Sequence, residues 1–186
     1  MSGGITVIVP VAHDLDTVDG SVICGTGTMK ACDHALALMK RFPRSQLFVS
    51  AREAPRFGNV VMGEVMRAYL LKKLPDAITS FLKAKYFNTL GEVLATYEHV
   101  HELRQMYGPQ AVERVVFAVK DWHARRVDKL ARAVFTHYRL DVPVCIKVHH
   151  VPEAPPTRRE RLLEPIKTAC FLWFFHHVHL KKQAEA

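Results

Sequence analysis

Five short apolar segments, separated by polar turns and amphipathic helices, constrain the fold of this chain more than any other feature. They cover residues 5–11, 46–50, 77–82, 115–119 and 142–148. Segments that are apolar on both faces are typical of strands buried in a parallel sheet, and their alternation with helices is typical of a sheet covered on both sides. We therefore predict an α/β fold, a three-layer Rossmann-like parallel sheet of about five strands in the order 3-2-1-4-5, with helices on both faces.

The intervening helices are bounded by residues that begin or end helices. Asn88 and Thr89 are a natural N-cap pair for a helix that runs to about residue 107, where a Gly-Pro pair ends it. Prolines at 43 and 75 end two earlier helices in the same way. The helices are predicted at residues 29–42, 59–74, 89–107, from about 123 to 138, and 158–180. Residues 20–28, rich in Gly, Ser and Thr, are predicted to form a loop.

A length of 186 residues suits one domain, residues 1–186, with a Pro-rich connector at 151–157 and a C-terminal helix at 158–180 packed on it. The formal net charge of +8 favours a phosphorylated small molecule, an anionic membrane surface or nucleic acid as partner, although a solvated basic surface explains it equally well. Because basic residues are not interleaved with aromatic ones, nucleic acid is disfavoured. A homo-oligomer remains open.

The cysteines and the apolar runs indicate the compartment. Cys24, Cys32, Cys145 and Cys170 show no C-x-x-C spacing, so we expect reduced, buried thiols in a cytoplasmic protein. The longest apolar run, within residues 166–178, is too short for a membrane span, which needs about 20 residues. We therefore expect no transmembrane span.

The best site candidate is the turn that follows the fourth strand, where Lys120, Asp121 and His123 lead into a basic helix. In open α/β sheets, ligands bind at the carboxyl ends of the strands, at the point where the strand order reverses. The predicted order makes strands one and four neighbours, which brings His13 and Asp14 beside this turn. The same edge of the sheet then carries Ser50 and Arg52, with Asn88 and Thr89 further along. Taken singly, each residue fits a helix cap or a solvated turn, but their shared edge favours a polar ligand.

Basic residues supply candidate anion contacts. Residues 25–30 lack the ending of a P-loop and the third glycine of G-x-G-x-x-G, but their amides open a helix that favours an anion, with Lys30 beside them. Arg125, Lys129 and Arg132 share one face of the helix after His123, a pattern typical of a solvated face. Arg126 lies off that face, and its guanidinium suits bidentate contact with phosphate or carboxylate.

His123 is the candidate acid–base group, since an imidazole titrates near neutrality, and Asp121 is the candidate to orient it. Despite 11 histidines, the chain has no H-E-x-x-H pattern, so metal dependence is not expected. A metal site would require the fold to bring His13, Asp14 and Asp16 to His123. Ser50 lacks the flanking glycines of a nucleophile elbow.

These residues also carry a family likeness, because the chain resembles the YdcF-like group of bacterial proteins, which includes SanA and ElyC. That family shows a strand ending in Ser, an acidic residue opening a helix, an Asn-Thr pair, Ser/Thr-Asp-x-His-x-x-Arg after a strand, and a Glu opening the last helix. The matching pieces are Phe48-Val49-Ser50, Glu64, Asn88-Thr89, Lys120-Asp121-Trp122-His123-Ala124-Arg125-Arg126 and Leu162-Leu163-Glu164-Pro165, with Lys30 where the family often has Arg. Two glycine pairs of the family are replaced, by Pro10-Val11-Ala12 and by Ala51-Arg52.

The resemblance implies a Rossmann-like fold and S-adenosylmethionine as the first candidate ligand, since one family member is reported to bind it. It implies Lys30, Ser50, Glu64, Asn88, Thr89, Lys120 and Arg126 as binding residues around His123 and Asp121. Three functions remain open at this point. The chain binds a small anionic or nucleotide-like ligand, acts as a hydrolase or transferase on a phosphorylated or lipid-linked envelope intermediate, or is a non-catalytic interaction protein.

Overall fold

The computed structural model describes residues 3–12, 14–51, 53–54, 57–58, 60–75, 79–83, 88–149 and 158–180. In chain order the elements are β1 (Ile5–Pro10), β2 (Leu15–Val18), β3 (Ser21–Cys24), α1 (Thr26–Arg41), β4 (Ser45–Ala51), β5 (Glu53–Ala54), β6 (Val60–Val61), α2 (Met62–Lys73), β7 (Thr79–Lys83), α3 (Thr89–Tyr107), β8 (Val112–Lys120), α4 (Asp121–His137), β9 (Val144–His149), α5 (Arg158–Phe174) and a π-helical turn (Phe175–His179). The Pro-rich connector at 151–157 lies outside the described residues.

The central sheet has five parallel strands in the order β7-β4-β1-β8-β9. Counting these strands along the chain gives the order 3-2-1-4-5, so the predicted fold class and strand order are confirmed. β1 lies between β4 and β8, and Ile8 pairs with Leu47 on one side and with Val116 on the other. The strand order reverses between β1 and β8, and the carboxyl ends of both strands meet there.

Alternating strand residues divide the core into two layers. Ile8, Val49 and Ala118 face α1 and α2, whereas Val9 and Phe117 face α3, α4 and the start of the π-helical turn. Each face is apolar because parallel strands are covered on both sides, and the strand periodicity of two directs neighbouring residues to opposite layers. The candidate site residues that follow β1 and β8 therefore emerge between two helical layers.

The prediction of a loop at residues 20–28 is wrong, because the first part of this segment forms a strand. β2 and β3 form an antiparallel hairpin, in which Val18 pairs with Ser21 across a two-residue turn. Asp19 and Gly20 both have positive φ, 49° and 75°, which is the conformation of a type I′ turn, and Asp-Gly is a preferred sequence for it. The remainder of the predicted loop belongs to α1, which begins at Thr26 rather than at residue 29.

Helix ends follow their sequence signals elsewhere. Asn88 caps α3, since its side-chain oxygen accepts a hydrogen bond from the amide of Gly91 at 3.1 Å, and Gly108 with φ of 93° follows its last residue. α5 contains Pro165 and continues beyond Phe174 into the π-helical turn. No helix in the described part of the chain is long and apolar enough to cross a membrane.

The expectation that the thiols are buried needs correction. All four cysteines are free thiols, but Cys170 is exposed on α5 and Cys145 is only half-buried, so not all of the thiols are core residues. The burial of the apolar segment near the C-terminus varies, because Trp173 exposes 60% of its surface while Phe175 is fully buried. One face of α5 therefore remains open to solvent.

Candidate functional site

The N-terminus of α1 is closed by a carboxylate from the turn that follows β1. The carboxylate of Asp14 accepts hydrogen bonds from the amide of Gly27 at 3.2 Å and from the amide of Thr28 at 2.8 Å. The hydroxyl of Thr28 donates to the backbone oxygen of Asp14 at 2.7 Å. These amides begin the helix and favour a negative charge. The anion that the sequence predicted at this helix end is thus supplied by the chain itself.

Lys120 completes this cluster from the end of β8. A side chain added at Gly27 would collide with the Lys120 ammonium and would come within 2.9 Å of an Asp14 oxygen, so the lysine and the aspartate meet over this glycine. Burial acts to raise the pKa of Asp14, but the hydrogen bonds from Thr28 and Gly27, together with the charge of Lys120, hold it below its usual value. Asp14 is therefore ionised and paired at neutral pH.

A second cluster lies one turn into α4. Arg126 Nη1 donates to Glu164 Oε1 at 2.7 Å, and Arg126 Nη2 donates to Nδ1 of His123. The second oxygen of Glu164 lies 3.7 Å from the same imidazole nitrogen. All three side chains are largely buried. His123 and Arg126 are brought together because they stand three residues apart on one helix face, and Glu164 reaches them from α5.

This arrangement determines how His123 can act. A guanidinium can only donate hydrogen bonds, so Nδ1 of His123 is the acceptor and the ring proton resides on Nε2. The imidazole also stacks on the ring of Trp122, with 3.8 Å between ring centroids. His123 is therefore fixed in orientation by Arg126 and Trp122.

A cleft of about 350 Å³ lies between α4 and α5 beside this cluster. Arg126 and Glu164 contribute to its wall, and Trp122 lies at one side. The exposed cations Arg125 and Lys129 also line it. Its other lining residues are Arg161, Pro165, Thr168, Ala169 and Leu172. Because Glu164 is already paired with Arg126, the side chains described around the cleft add three further cations and no second carboxylate.

The predicted site residues on the neighbouring strands lie at the carboxyl edge, as expected. Ser50 is the penultimate residue of β4 and is 5% exposed, and Thr89 is the first residue of α3 and is 7% exposed. Asn88 serves as the helix cap described above. Their position at one edge agrees with the predicted placement, while a role for them in binding stays a prediction.

Other predicted residues are separated from α4. Glu64 is exposed in the first turn of α2, in the helical layer on the opposite side of the sheet from Arg126. Lys30 is half-buried one turn into α1, in that same layer. His13 and Arg52 lie outside the described residues. The structure therefore places Glu64 and Lys30 in a different layer from the cluster around His123.

Asp121 has a local role in the structure. Its carboxylate accepts a hydrogen bond from the amide of Trp122 at 2.8 Å in the first turn of α4. The His123 ring is contacted by Arg126 and Trp122, and Glu164 Oε2 lies 3.7 Å from its Nδ1. The pairing of Asp121 with His123 as acid and base stays a prediction.

Two carboxylates contribute more to this region than the residue pattern alone indicated. Glu92 in α3 is 3% exposed, and its Oε1 accepts a hydrogen bond from the amide of Ala12, just after β1. Glu164 pairs with Arg126 across the two helices. Glu164 is one of the residues that carry the family resemblance, and Arg161, Glu164 and Thr168 recur on one face of α5, but neither signal indicates Arg126 as its partner. Glu92 shares α3 with Glu98 and Glu102, and its spacing does not set it apart from them.

Among the described residues, no three His, Cys, Asp or Glu side chains are grouped closely enough to hold a metal ion. Comparisons of the chain with protein-family models, curated proteins and solved structures gave no match. The resemblance to the YdcF-like group therefore stays a prediction that depends on the residues named above.

Proposed function

We propose that this chain binds a small anionic, nucleotide-like ligand in the cleft between α4 and α5. One observation carries the proposal, namely the convergence of Arg125, Lys129 and Arg161 on a cleft beside the ring of Trp122. A volume of about 350 Å³ is within the range of small-molecule sites. Flexible cations around an aromatic ring suit a ligand that combines a flat ring with phosphate or carboxylate.

The buried pair of Arg126 and Glu164 supports this proposal because it gives the cleft a fixed wall. A salt bridge between buried groups holds the guanidinium in one orientation, whereas Lys129 and Arg161 are exposed and free to adapt to a ligand. The exposed cations would hold the anionic part of the ligand, and Trp122 would supply an aromatic face for its ring.

S-adenosylmethionine is the first ligand to test, because the resemblance implies it and because it joins an adenine ring to a carboxylate. Its sulfonium is a cation, however, and the cationic cleft favours ligands with more negative charge. Calorimetric titrations with S-adenosylmethionine, adenosine diphosphate and inorganic phosphate separate these alternatives. Heat and a rise in Tm with at least one of the first two ligands support the proposal. The absence of both effects with all three at millimolar concentration contradicts it.

A hydrolase or transferase acting on a phosphorylated or lipid-linked intermediate is the second candidate. It is favoured by the buried imidazole of His123, which Arg126 and Trp122 hold in one orientation and which can serve as a general acid or base. A screen of phosphorylated substrates with and without divalent metal tests this candidate. Activity that is lost in His123→Ala and retained in His177→Ala, an exposed histidine in the π-helical turn, would support it. Equal activity in both variants would exclude His123 from the reaction.

A cytoplasmic location belongs to the same proposal, since it agrees with free thiols and with the ligand class. Fractionation of cells that produce the full chain tests this location directly. Reduced Cys24, Cys32 and Cys170 in protein trapped with an alkylating reagent on lysis would support it, and a disulfide-linked form would contradict it.

A further inference from the structure

The outward face of α5 is apolar along most of the helix. Leu162, Ile166 and Trp173 expose 65%, 58% and 60% of their surfaces, the largest such group on one element in the described chain. Pro165, Ala169 and Cys170 are exposed on the same face. These positions recur at intervals of three and four residues, so they form one continuous stripe, which we call the α5 stripe. A contiguous exposed apolar surface of this kind marks an interaction site.

Positive charge surrounds the α5 stripe. Arg158, Arg159 and Arg161 are exposed around its N-terminal end, and Lys167 is exposed on its flank. Glu164 pairs with Arg126 at 2.7 Å and lies 3.8 Å from the Lys167 ammonium, so the positive charge at the stripe comes chiefly from the three arginines around its N-terminal end. The stripe is therefore complementary to a partner that is apolar within and negatively charged at its boundary.

We propose that the α5 stripe docks on the surface of a bilayer that contains anionic lipids. α5 packs on α4 through its other face, and the largest side chains of the stripe, Leu162, Ile166 and Trp173, are exposed outside the cleft between the two helices. A helix with Leu, Ile and Trp on one face and basic residues at its sides lies in a membrane interface, with apolar side chains among acyl chains and cations at the phosphates. A second copy of the stripe would bring the same cations together, which opposes self-association.

The α5 stripe adjoins the ligand cleft, because Pro165 and Ala169 also line the cleft. Leu162, Ile166 and Trp173 do not line it, and binding to lipid requires no ligand in the cleft. Failure of either proposal therefore leaves the other standing. The test uses vesicles of pure lipid, so binding of the α5 stripe to them cannot be due to an acidic protein partner.

Cosedimentation with vesicles tests the inference, using phosphatidylcholine alone and phosphatidylcholine mixed with phosphatidylglycerol. We expect the full chain to bind the mixed vesicles, to bind phosphatidylcholine weakly, and to release as salt is raised. Each of Leu162→Gln and Ile166→Gln should lower the partition coefficient about tenfold, because each removes one inserted apolar side chain. Arg158→Glu with Arg159→Glu should abolish the preference for phosphatidylglycerol.

Two control variants test whether the expected changes in vesicle binding are specific to the α5 stripe. Met106→Gln replaces another apolar side chain that is 63% exposed, at the end of α3, and should leave binding unchanged. Lys40→Glu changes an exposed charge on α1 and should not remove the lipid preference. In protein with Trp122 replaced by Phe, the emission of Trp173 should shift to shorter wavelength on mixed vesicles. The inference is overturned if the chain does not bind the mixed vesicles, or if Leu162→Gln and Met106→Gln lower vesicle binding equally. It is also overturned if the chain forms a dimer that Leu162→Gln dissociates and does not bind vesicles.

Discussion

Arg126 on α4 and Glu164 on α5 form a salt bridge of 2.7 Å, with side chains only 7% and 12% exposed. The guanidinium also lies 5.8 Å from the centre of the Phe171 ring, so an aromatic side chain packs beside the charged pair. A buried charge that loses its partner is costly, whereas a pair exposed to water contributes little. The attachment of α5 to the rest of the protein therefore depends on this pair more than on any exposed ion pair.

Glu164→Ala should lower the free energy of unfolding by about 3 kcal/mol, because it leaves the Arg126 charge buried without compensation. Urea unfolding followed by circular dichroism measures the change. Asp128→Ala is the matched control, since it removes an exposed pair with Arg132 on the same helix and should cost less than about 0.5 kcal/mol. Equal losses in the two variants would show that Glu164 does not hold a buried charge in solution.

Replacing Asp14 should weaken the start of α1. Asp14→Ala leaves the amides of Gly27 and Thr28 without their acceptor, and loss of a helix cap costs about 1 kcal/mol. Because the folded pKa of Asp14 lies below its usual value, its contribution is fully present above the unfolded pKa of 3.8 and is lost as pH falls through the folded pKa. Urea unfolding at neutral pH and near pH 3 should therefore show a smaller difference between wild type and Asp14→Ala in acid. An unchanged difference at both pH values would contradict the ionised pairing.

A buried histidine at the opposite end of the sheet should make the free energy of unfolding depend on pH, at pH values higher than those at which carboxylates titrate. His99 on α3 stacks on Phe48 and lies 2.6 Å from the amide nitrogen of Gln46, and burial lowers its pKa to about 4. The unfolded chain binds a proton on this residue near pH 6.5, so stability falls as pH drops from about 6.5 to about 4, by on the order of 3 kcal/mol. His99→Leu should remove most of this slope in urea titrations. A slope that persists in the variant would assign it to other groups.

The cleft cations should differ from a neighbouring cation on the same helix in their effect on ligand affinity. Lys129→Gln and Arg125→Gln should each weaken binding of the best anionic ligand about tenfold, since each removes one charged contact. Arg132→Gln is the control, because Arg132 is paired with Asp128 and does not line the cleft. Calorimetry with the three variants measures the difference. Equal affinity in all three would move the ligand away from the cleft.

The four thiols should differ in reactivity. Cys170 is exposed and should react with a thiol reagent in the native protein within seconds to minutes. Cys32 should remain unmodified until the protein unfolds, because its hydrogen bond with Cys24 and its burial raise its pKa well above the usual range. Mass spectrometry of peptides after timed labelling identifies the order. Rapid labelling of Cys32 would indicate that α1 opens readily.

The sheet could be predicted because its signals are local. Each main strand is a short apolar run, and the cap at Asn88 depends on residues that follow it directly. The hairpin of β2 and β3 was missed although Asp19-Gly20 is a strong turn signal, since its strands carry polar residues on their exposed face. Strands with so many polar residues have the composition of a loop, so they are recognised as strands only if the turn between them is identified first.

The site could be predicted only in part, because its contacts join distant parts of the chain. His123 and Arg126 were selected from one turn of sequence, and the structure does bring them together. Their partner Glu164 is 38 residues beyond Arg126, and the contact depends on how α5 packs on α4. The use of Asp14 as the cap of α1 likewise depends on the path of the hairpin between them. Neither path is encoded in local periodicity.

The central position of β1 has a consequence for synthesis of the chain. β4 can pair with β1 as soon as about 50 residues have emerged, but the other edge of β1 pairs with β8, which begins at Val112. At a translation rate of 5–20 residues per second, about 5–20 s separate β1 from its second partner. During that interval one of the most apolar strands has a free edge, and such edges recruit other nascent chains. Slow elongation between β4 and β8, or a lack of chaperones, should therefore lower the yield of native protein more than a change near β9 would.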